Sequence, residues 1–368
     1  MNVPSRTLPR VVLSMLTLVP GGMGGTETYA RELGRELARS GRVSASVLLP
    51  AQAAGFVPDL PEVLAPEIVP APSTAARLRT VATSVLRRGR LLGRAPRGAV
   101  LHYPFTATVP LPRRGDRVVQ SLHDVQHLDM PHLFSRAELW YRRLYYDRAA
   151  LRADRIITIS EFSKQRIVHH LGVPPERITV AHLAVDTAAF TPQLGPRERF
   201  LLYPARGWAH KNHERLLEAV RLLREDDPDL RLVLTGGGLD GLGELPDWVD
   251  ARGNVPRAEL LELYRTAACL VFPSLYEGFG MPPLEAMASG CPVAASSAGS
   301  LPEVCGDAAA LFDPTDPRAI ADGVRAALAD TEGLQRRGLE RARLFTWAAC
   351  AAAHEDAYLA AHTAGDRA

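Results

Sequence analysis

Two acids, Glu277 and Glu285, stand on either side of a turn built from Gly278, Phe279, Gly280 and Met281, followed by Pro282, Pro283 and Leu284. The residues Cys269 to Phe272 before the turn read as the end of a buried strand. The glycines and prolines then force a turn that opens a helix through Leu284, Ala286 and Met287. A glycine turn feeding a helix start presents unpaired N–H groups and the positive end of the helix dipole, and together these bind anions. Glu277 falls just before the turn and Glu285 in the expected first helical turn, so both face one ligand beside the amides. An anion cradle between two carboxylates that accept hydroxyl hydrogens suits a sugar carried on a diphosphate. The plainer alternative is a solvated Glu277 and a Glu285 that only complements the helix dipole. Two acids around one Gly-x-Gly turn weigh against it.

Arg206 and Lys211 share one strand-to-helix loop, Ala205 to His213, with no acid near them in sequence. Two cations there can neutralise a diphosphate, the arginine through its planar fork and the lysine as a point charge. The histidines are scattered and no Asp-x-Asp pair precedes a substrate loop, so no metal is expected. The charge on a departing diphosphate then falls to Arg206, Lys211 and helix starts. His123 and Asp124 end a strand, Val118 to Leu122, and ligands sit at such carboxyl ends in open α/β sheets. A histidine there moves a proton or orients a sugar hydroxyl, or else it is structural and bonded to Asp124. A glycine loop, Pro20 to Thr26, is a further anion candidate, although it is neither a Walker loop nor G-x-G-x-x-G and also reads as a plain turn.

The elements that must hold these groups alternate between strand and helix. Residues 11–18 form a strand, the glycine loop follows, and Glu27 to Ser40 carries Tyr29, Leu33 and Leu37 at helical spacing. Val43 to Leu49, Val118 to Leu122 and Ala153 to Ser160 read as further strands, and Phe162 to Leu171 as a helix stopped by Gly172. Residues 50–74 are rich in Pro and Ala and read as irregular. The alternation restarts with a strand Phe200 to Pro204, a helix Glu214 to Arg224 and a strand Leu230 to Thr235. It continues with a helix from about Asn254 to Tyr264 and strands at 268–272, 292–295 and 308–312. Two α/β halves of similar size imply two sheets facing each other across a cleft. The expected domains are 1–192, 193–345 and a C-terminal helical segment, 346–368.

Bulk properties bound the rest. The 368 residues suit about two domains. Residues 1–190 hold 25 Lys+Arg against 15 Asp+Glu, whereas the remainder holds 18 against 26, so the halves are expected to meet different partners. Four cysteines far apart exclude a disulfide framework and a zinc ribbon, and a cytoplasmic setting is the default. No stretch approaches the ~20 apolar residues of a membrane span. Between Arg77 and Arg97 seven arginines occur with no acid, interleaved with leucines and valines. Such a helix lies on an anionic membrane surface or exposes an ordinary solvated face, and the sequence leaves both open. Nucleic-acid binding is disfavoured, because the basic residues lack interleaved aromatics and the second half is acidic.

These motifs, in this order, resemble glycosyltransferase family 4, with its GT-B fold of two Rossmann-like α/β/α domains. The family's E-x7-E signature corresponds to Glu277 through Glu285, its basic pair to Arg206 and Lys211, its glycine loop to Gly21–Gly25, and its His-Asp to His123-Asp124. Ile159 to Ser163 and Asp186 with Phe190 fit as well, while Gly207-Trp208 departs from the aliphatic residue usual after the loop arginine. The resemblance implies a retaining, metal-independent hexosyl transfer from a nucleotide-diphosphate sugar to a hydroxyl of a glycan, glycolipid or small molecule. It implies that Glu277 bonds the donor sugar, that Gly278, Phe279, Gly280 and Met281 meet sugar and phosphate with Leu284 beside them, and that Glu285 takes the ribose. Arg206 and Lys211 would hold the diphosphate and His123 the transferred sugar. Gly24 and Gly25 would close over the phosphates, and Val255 would approach the base. His127, Asp129, His132 and Tyr141 are placed near the acceptor. GDP-mannose is the first donor expectation, ahead of UDP- and dTDP-sugars, and a lipid-linked acceptor at the inner membrane face follows from the arginine segment. An epimerase, a phosphorylase and a non-catalytic GT-B partner subunit of another transferase are the alternatives.

Overall fold

The computed structural model describes residues 8–71 and 74–363 and divides into two compact units. One runs to His182 and takes in the chain again from Trp347, and the other is Leu183–Thr346. The expected boundary at 192/193 thus moves forward ten residues. Phe190 packs edge-on to Tyr264 with ring centroids 5.8 Å apart, and Arg265 donates to the Thr191 hydroxyl at 2.7 Å, so this stretch belongs to the second unit.

The first unit is a seven-stranded sheet in which every neighbouring pair is parallel. Its strands are β1 (Arg10–Ser14), β2 (Ser44–Pro50), β3 (Glu62–Ala65), β4 (Val100–Tyr103), β5 (Arg117–Ser121), β6 (Arg155–Thr158) and β7 (Ile178–Val180), in the order β3-β2-β1-β4-β5-β6-β7. The order reverses between β1 and β4. A crevice opens at the carboxyl ends where an open sheet switches direction, because the flanking connections leave in opposite senses. The glycine loop follows β1, and His123 follows β5.

The second unit has six parallel strands, β8 (Glu198–Pro204), β9 (Arg231–Thr235), β10 (Val249–Gly253), β11 (Ala267–Phe272), β12 (Val293–Ser296) and β13 (Ala310–Phe312). Their order is β10-β9-β8-β11-β12-β13, and it reverses between β8 and β11. The loop with Arg206 and Lys211 leaves β8, and the loop with Glu277 leaves β11. The two loops therefore flank the switch point. The central strands β8 and β11 are apolar on both faces, as parallel strands covered by helices must be: Cys269 to Phe272 and Leu201 to Tyr203 are all fully buried.

Four strands are absent from the sequence reading: β3, β4, the three-residue β7 and the polar β10, Val-Asp-Ala-Arg-Gly. β3 lies within the stretch read as irregular, and β4, Val-Leu-His-Tyr, is four residues long, too short to show a period. The arginine segment forms two helices, Thr74–Leu86 and Arg88–Gly93. Leu91 and Leu92 enter the core, while Val85 and Leu86 are exposed.

The C-terminal helix Trp347–Thr363 belongs to the first unit and packs on the helix Gly25–Ser40 and on β4 to β7. Its buried residues, Cys350, Ala351, His354, Glu355, Ala357, Tyr358 and Ala361, recur at helical spacing, and alanine permits a close approach to the strands. Glu355, 1% exposed, accepts from Arg42 at 3.0 Å and from the Ser40 hydroxyl. His354 and His102 are fully buried, and desolvation lowers both imidazoles, His354 to about 4. Between about pH 6.5 and 4 the unfolded chain therefore takes up a proton at position 354 that the folded chain refuses, so stability falls as the pH falls through that window and is level above it. The difference amounts to roughly 3 kcal/mol for His354. Urea midpoints at pH 8, 6.5 and 5 should show this fall, and His354→Gln should make it shallower while the other buried imidazoles keep their share; equal slopes in the two proteins would refute the assignment.

Candidate functional site

In the second unit the chain crosses the switch point twice. After β8, Arg206 is exposed, with its guanidinium 5.3 Å from the Trp208 ring centroid, and it makes no ion pair with any described residue. Lys211 turns inward. Its Nζ lies 2.5 Å from Oε1 of Glu277 and 5.4 Å from the ring of the fully buried Phe272. Both members of the pair are only about one-seventh exposed, so their attraction is less screened than that of a surface pair. The loop from Ala205 to His213 carries no acid of its own, but the fold supplies one from the adjacent loop. Lysine is scarce here: the chain has 43 Lys+Arg, and only Lys164 and Lys211 are lysine. Where arginine is the general cation, a lysine at the switch point marks a need for a compact ammonium. That signal was present in the composition.

Glu285 is the fifth residue of the helix Met281–Ala288, one turn deeper than expected. Its Oε2 accepts from the Tyr264 hydroxyl at 2.7 Å, and burial raises its pKa although Tyr264 and Arg257 oppose the rise. Val255 sits half-buried in the loop after β10, on the same carboxyl edge. The structure thus brings Arg206, Lys211, Val255, the Glu277–Met281 turn and Glu285 to one edge of one sheet. Two expected contacts change character. The side chains of Leu284 and Phe279 lie in the core, with Phe279 edge-on to Phe345 at 5.6 Å, so only their backbone atoms are available to a ligand.

The loops are held by residues that the sequence reading did not single out. A Cβ on Gly207 would lie 2.2 Å from the Gly238 carbonyl oxygen, and one on Gly236 would lie 2.5 Å from that of Ala205. The Arg206 loop therefore lies directly on the Gly236–Gly238 backbone, with Gly207 N–H donating to Gly237 O at 3.1 Å. Under the acid turn, a Cβ on Gly299 would lie 2.8 Å from the Glu277 carbonyl oxygen, and the Ser300 hydroxyl donates to the carbonyls of Glu277 and Phe279. Asn212 joins the two loops. It is buried in the left-handed region (φ 63°), and its amide donates to Pro273 O at 3.0 Å and Pro314 O at 2.7 Å. Its neighbour His213 is buried beside Lys211, and desolvation with that charge lowers its imidazole to about 4.

In the first unit, Gly24 caps the helix Gly25–Ser40, and the space over Gly24 and Gly25 is open. Glu27 folds back to accept from Gly21 N–H at 2.9 Å and pairs with Arg31 at 3.2 Å, which fixes the loop. His123 is not bonded to Asp124. Its Nε2 donates to Pro104 O at 3.0 Å, while Asp124 accepts from Gln126 N–H at 3.0 Å. Desolvation lowers the imidazole, so it is neutral at pH 7 and Nδ1 is the acceptor. Two of the acceptor-side expectations are structural instead. His127 is 1% exposed and bonds Asp147 at 2.9 Å, and Asp129 binds Arg166 and His170. Among the described residues no group of three or more His, Cys, Asp or Glu is arranged to hold a metal ion.

The sequence profile of the glycosyl transferases group 1 matches residues 186–344, and that of glycosyltransferase family 4 matches residues 23–189. O-antigen chain mannosyltransferase B of Escherichia coli is 33% identical over 272 residues, which are 67% of this chain and 71% of that protein. MMP alpha-(1->4)-mannosyltransferase of Mycolicibacterium hassiacum is 33% identical over 279 residues, 69% of this chain and 64% of its own length. Among solved structures, sucrose-phosphate synthase from Thermosynechococcus elongatus superposes with a TM-score of 0.77 at 21% identity, covering 95% of this chain and 98% of that one. This last likeness shows the fold, two parallel α/β units of GT-B type.

The role of Asn212 is open to measurement. Asn212→Ala leaves two buried carbonyls unpaired and puts a Cβ residue without a compensating side chain at positive φ, and it should cost about 2–4 kcal/mol in chemical denaturation. Asn212→Gly should recover only the backbone part, about 1 kcal/mol. A neutral Asn212→Ala would show that the two loops hold each other without this residue.

Proposed function

Because the chain belongs to glycosyltransferase family 4, the glycosyl transferases of group 1, we propose that it transfers a hexosyl group, mannosyl first, from a nucleotide-diphosphate sugar to an acceptor hydroxyl, with retention and without a metal. The observation that carries this reading is the meeting of Lys211 and Glu277 at 2.5 Å at the switch point, beside an Arg206 that no described acid neutralises. A diphosphate arriving there is bound by Arg206 and draws Lys211 toward it, which frees the Glu277 carboxylate for the sugar's hydroxyls. The helix start at Gly280–Met281 adds N–H groups to the same anion. Glu285, held by Tyr264, accepts from the ribose diol. His123, neutral with Nδ1 as acceptor, takes a hydrogen bond from a hydroxyl of the transferred sugar.

In the transfer the bond from the anomeric carbon to the diphosphate oxygen breaks while the acceptor oxygen bonds on the same face. The acceptor's proton passes to the departing phosphate oxygen, whose charge Arg206 and Lys211 stabilise. The names of the two relatives at 33% identity favour mannose, and GDP-mannose is the first donor to try. The acceptor is proposed to be lipid-linked and met at an anionic membrane. This part rests on Val85 (50% exposed) and Leu86 (84% exposed) beside Arg87 and Arg90. No helix among the described residues is long and apolar enough to cross a membrane.

Purified protein should release nucleoside diphosphate from one member of a panel of GDP-, UDP-, dTDP- and ADP-sugars, and the matching diphosphate alone should raise its Tm. EDTA should leave the rate unchanged. Lys211→Ala and Glu277→Gln should each lower kcat/KM by about 10²–10³-fold; turnover undiminished in both would sink the assignment. For the membrane, sedimentation with phosphatidylglycerol vesicles should weaken in Arg87→Ser/Arg90→Ser and persist in the parent protein, and equal sedimentation of the two would remove that part of the reading.

A further inference from the structure

Five buried side chains tie the C-terminal helix to the strands under His123: Tyr29, His102, Ser121, His354 and Tyr358, each at most 1% exposed. The hydrogen of every bond among them can be assigned. His354 Nδ1 lies 2.8 Å from the Cys350 carbonyl oxygen, which only accepts, so Nδ1 carries the proton. Burial keeps this imidazole neutral, so Nε2 accepts, and the donor 2.6 Å away is the Tyr29 hydroxyl. With its proton committed, the Tyr29 oxygen accepts from Ser121 at 2.9 Å. Ser121 in turn accepts from His102 Nε2–H at 2.9 Å. His102 is likewise neutral, so its Nδ1 accepts from the Tyr358 hydroxyl at 2.8 Å. The bonds run in one direction from Tyr358 to Cys350, leaving the C-terminal helix and returning to it. Tyr358 starts the chain as a donor and each of the other four donates once and accepts once, so every bond is polarised in the same sense and none of the five can be removed without stranding a neighbour.

This chain passes beside His123 at Tyr29. The ring of Tyr29 meets the ring of His123 edge-on, with centroids 5.1 Å apart and planes at 89°. Both bonding roles of the Tyr29 hydroxyl are filled, so the ring is fixed in place. It walls one side of an imidazole whose Nε2–H is on Pro104 O and whose backbone carbonyl accepts from Thr158 at 3.1 Å. We propose that Tyr29 and His354 are positioning residues for His123, so that the C-terminal helix is part of the transfer apparatus and not only a strap that completes the first unit. The proposal rests on the role given to His123 above. The chain holds the His123 ring in the plane that keeps Nε2–H on Pro104 O and so offers Nδ1 to a sugar hydroxyl.

The test uses the full chain and three substitutions. Tyr29→Phe keeps the ring but strands His354 Nε2. Tyr358→Phe strands His102 Nδ1 and leaves both Tyr29 bonds intact. His354→Gln supplies an amide oxygen for Tyr29 and serves as the conservative rescue. For Tyr29→Phe we expect kcat to fall about tenfold with the donor KM within about twofold. Tyr358→Phe should lower Tm comparably yet keep kcat within about twofold, and His354→Gln should retain most of kcat. Imidazole ¹⁵N spectra should show His123 as the Nε2–H tautomer in the parent protein and as a mixture in Tyr29→Phe. If kcat follows Tm across the three variants, or if His123 keeps its tautomer and full kcat in Tyr29→Phe, the helix is a strap and the proposal is wrong. Full activity in His123→Ala would instead overturn the role of His123 itself, and the proposal with it.

Discussion

The second unit is arranged around one ion pair, Lys211 with Glu277. Each partner sits at the end of a different strand, β8 and β11, and these two strands are neighbours only because the sheet reverses direction between them. Both groups are mostly shielded from water, so leaving either unpaired would cost more than the pair's own net contribution to stability. Such a pair is a poor device for stability and a good one for binding. An anion that takes over the lysine also releases a carboxylate, so one arrival prepares two contacts.

Holding that pair requires loops that cannot drift, and the fold fixes them with backbone against backbone. Gly207 lies on Gly238, Gly299 lies under Glu277, and Asn212 spans from one loop to the carbonyls of Pro273 and Pro314. In each case a larger side chain would separate surfaces that must touch. The first unit solves the same problem differently. Glu27 clamps the glycine loop by its own backbone, and the His123 region is backed by hydroxyls and imidazoles whose protons all point one way along a chain. The second unit thus takes its rigidity from glycine contacts, and the first from a buried chain of polar side chains.

The candidate site was more legible than the fold that carries it. Glu277, Glu285, Arg206 and Lys211 announce themselves as charges beside glycine turns at strand ends, and a parallel sheet sends all such ends to one edge. β4 left no trace because four residues carry no period, and β3 was hidden in a run of Pro and Ala. The unit boundary was misplaced because polar residues 193–198 look like a linker, whereas the contacts of Phe190 and Thr191 with the second unit decide the matter. His127 and Asp129 looked like acceptor contacts for the same reason that Glu277 looked like a donor contact. Each is a polar group near a strand end, and spacing did not reveal the partner the fold gives it: Asp147 for His127, Arg166 for Asp129 and Lys211 for Glu277.

By itself the sequence determined which groups are able to do chemistry, that two α/β halves carry them, and which glycine turns present helix starts, because these depend on residue type and local conformation alone. Only the tertiary structure decided that Lys211 meets Glu277, that Glu285 is held by Tyr264, that His123 bonds Pro104 and not Asp124, and that residues from the last helix begin and end a chain of hydrogen bonds beside it. Those are contacts between residues separated by tens to hundreds of positions. Strand order and burial set them, and no spacing along a chain encodes strand order.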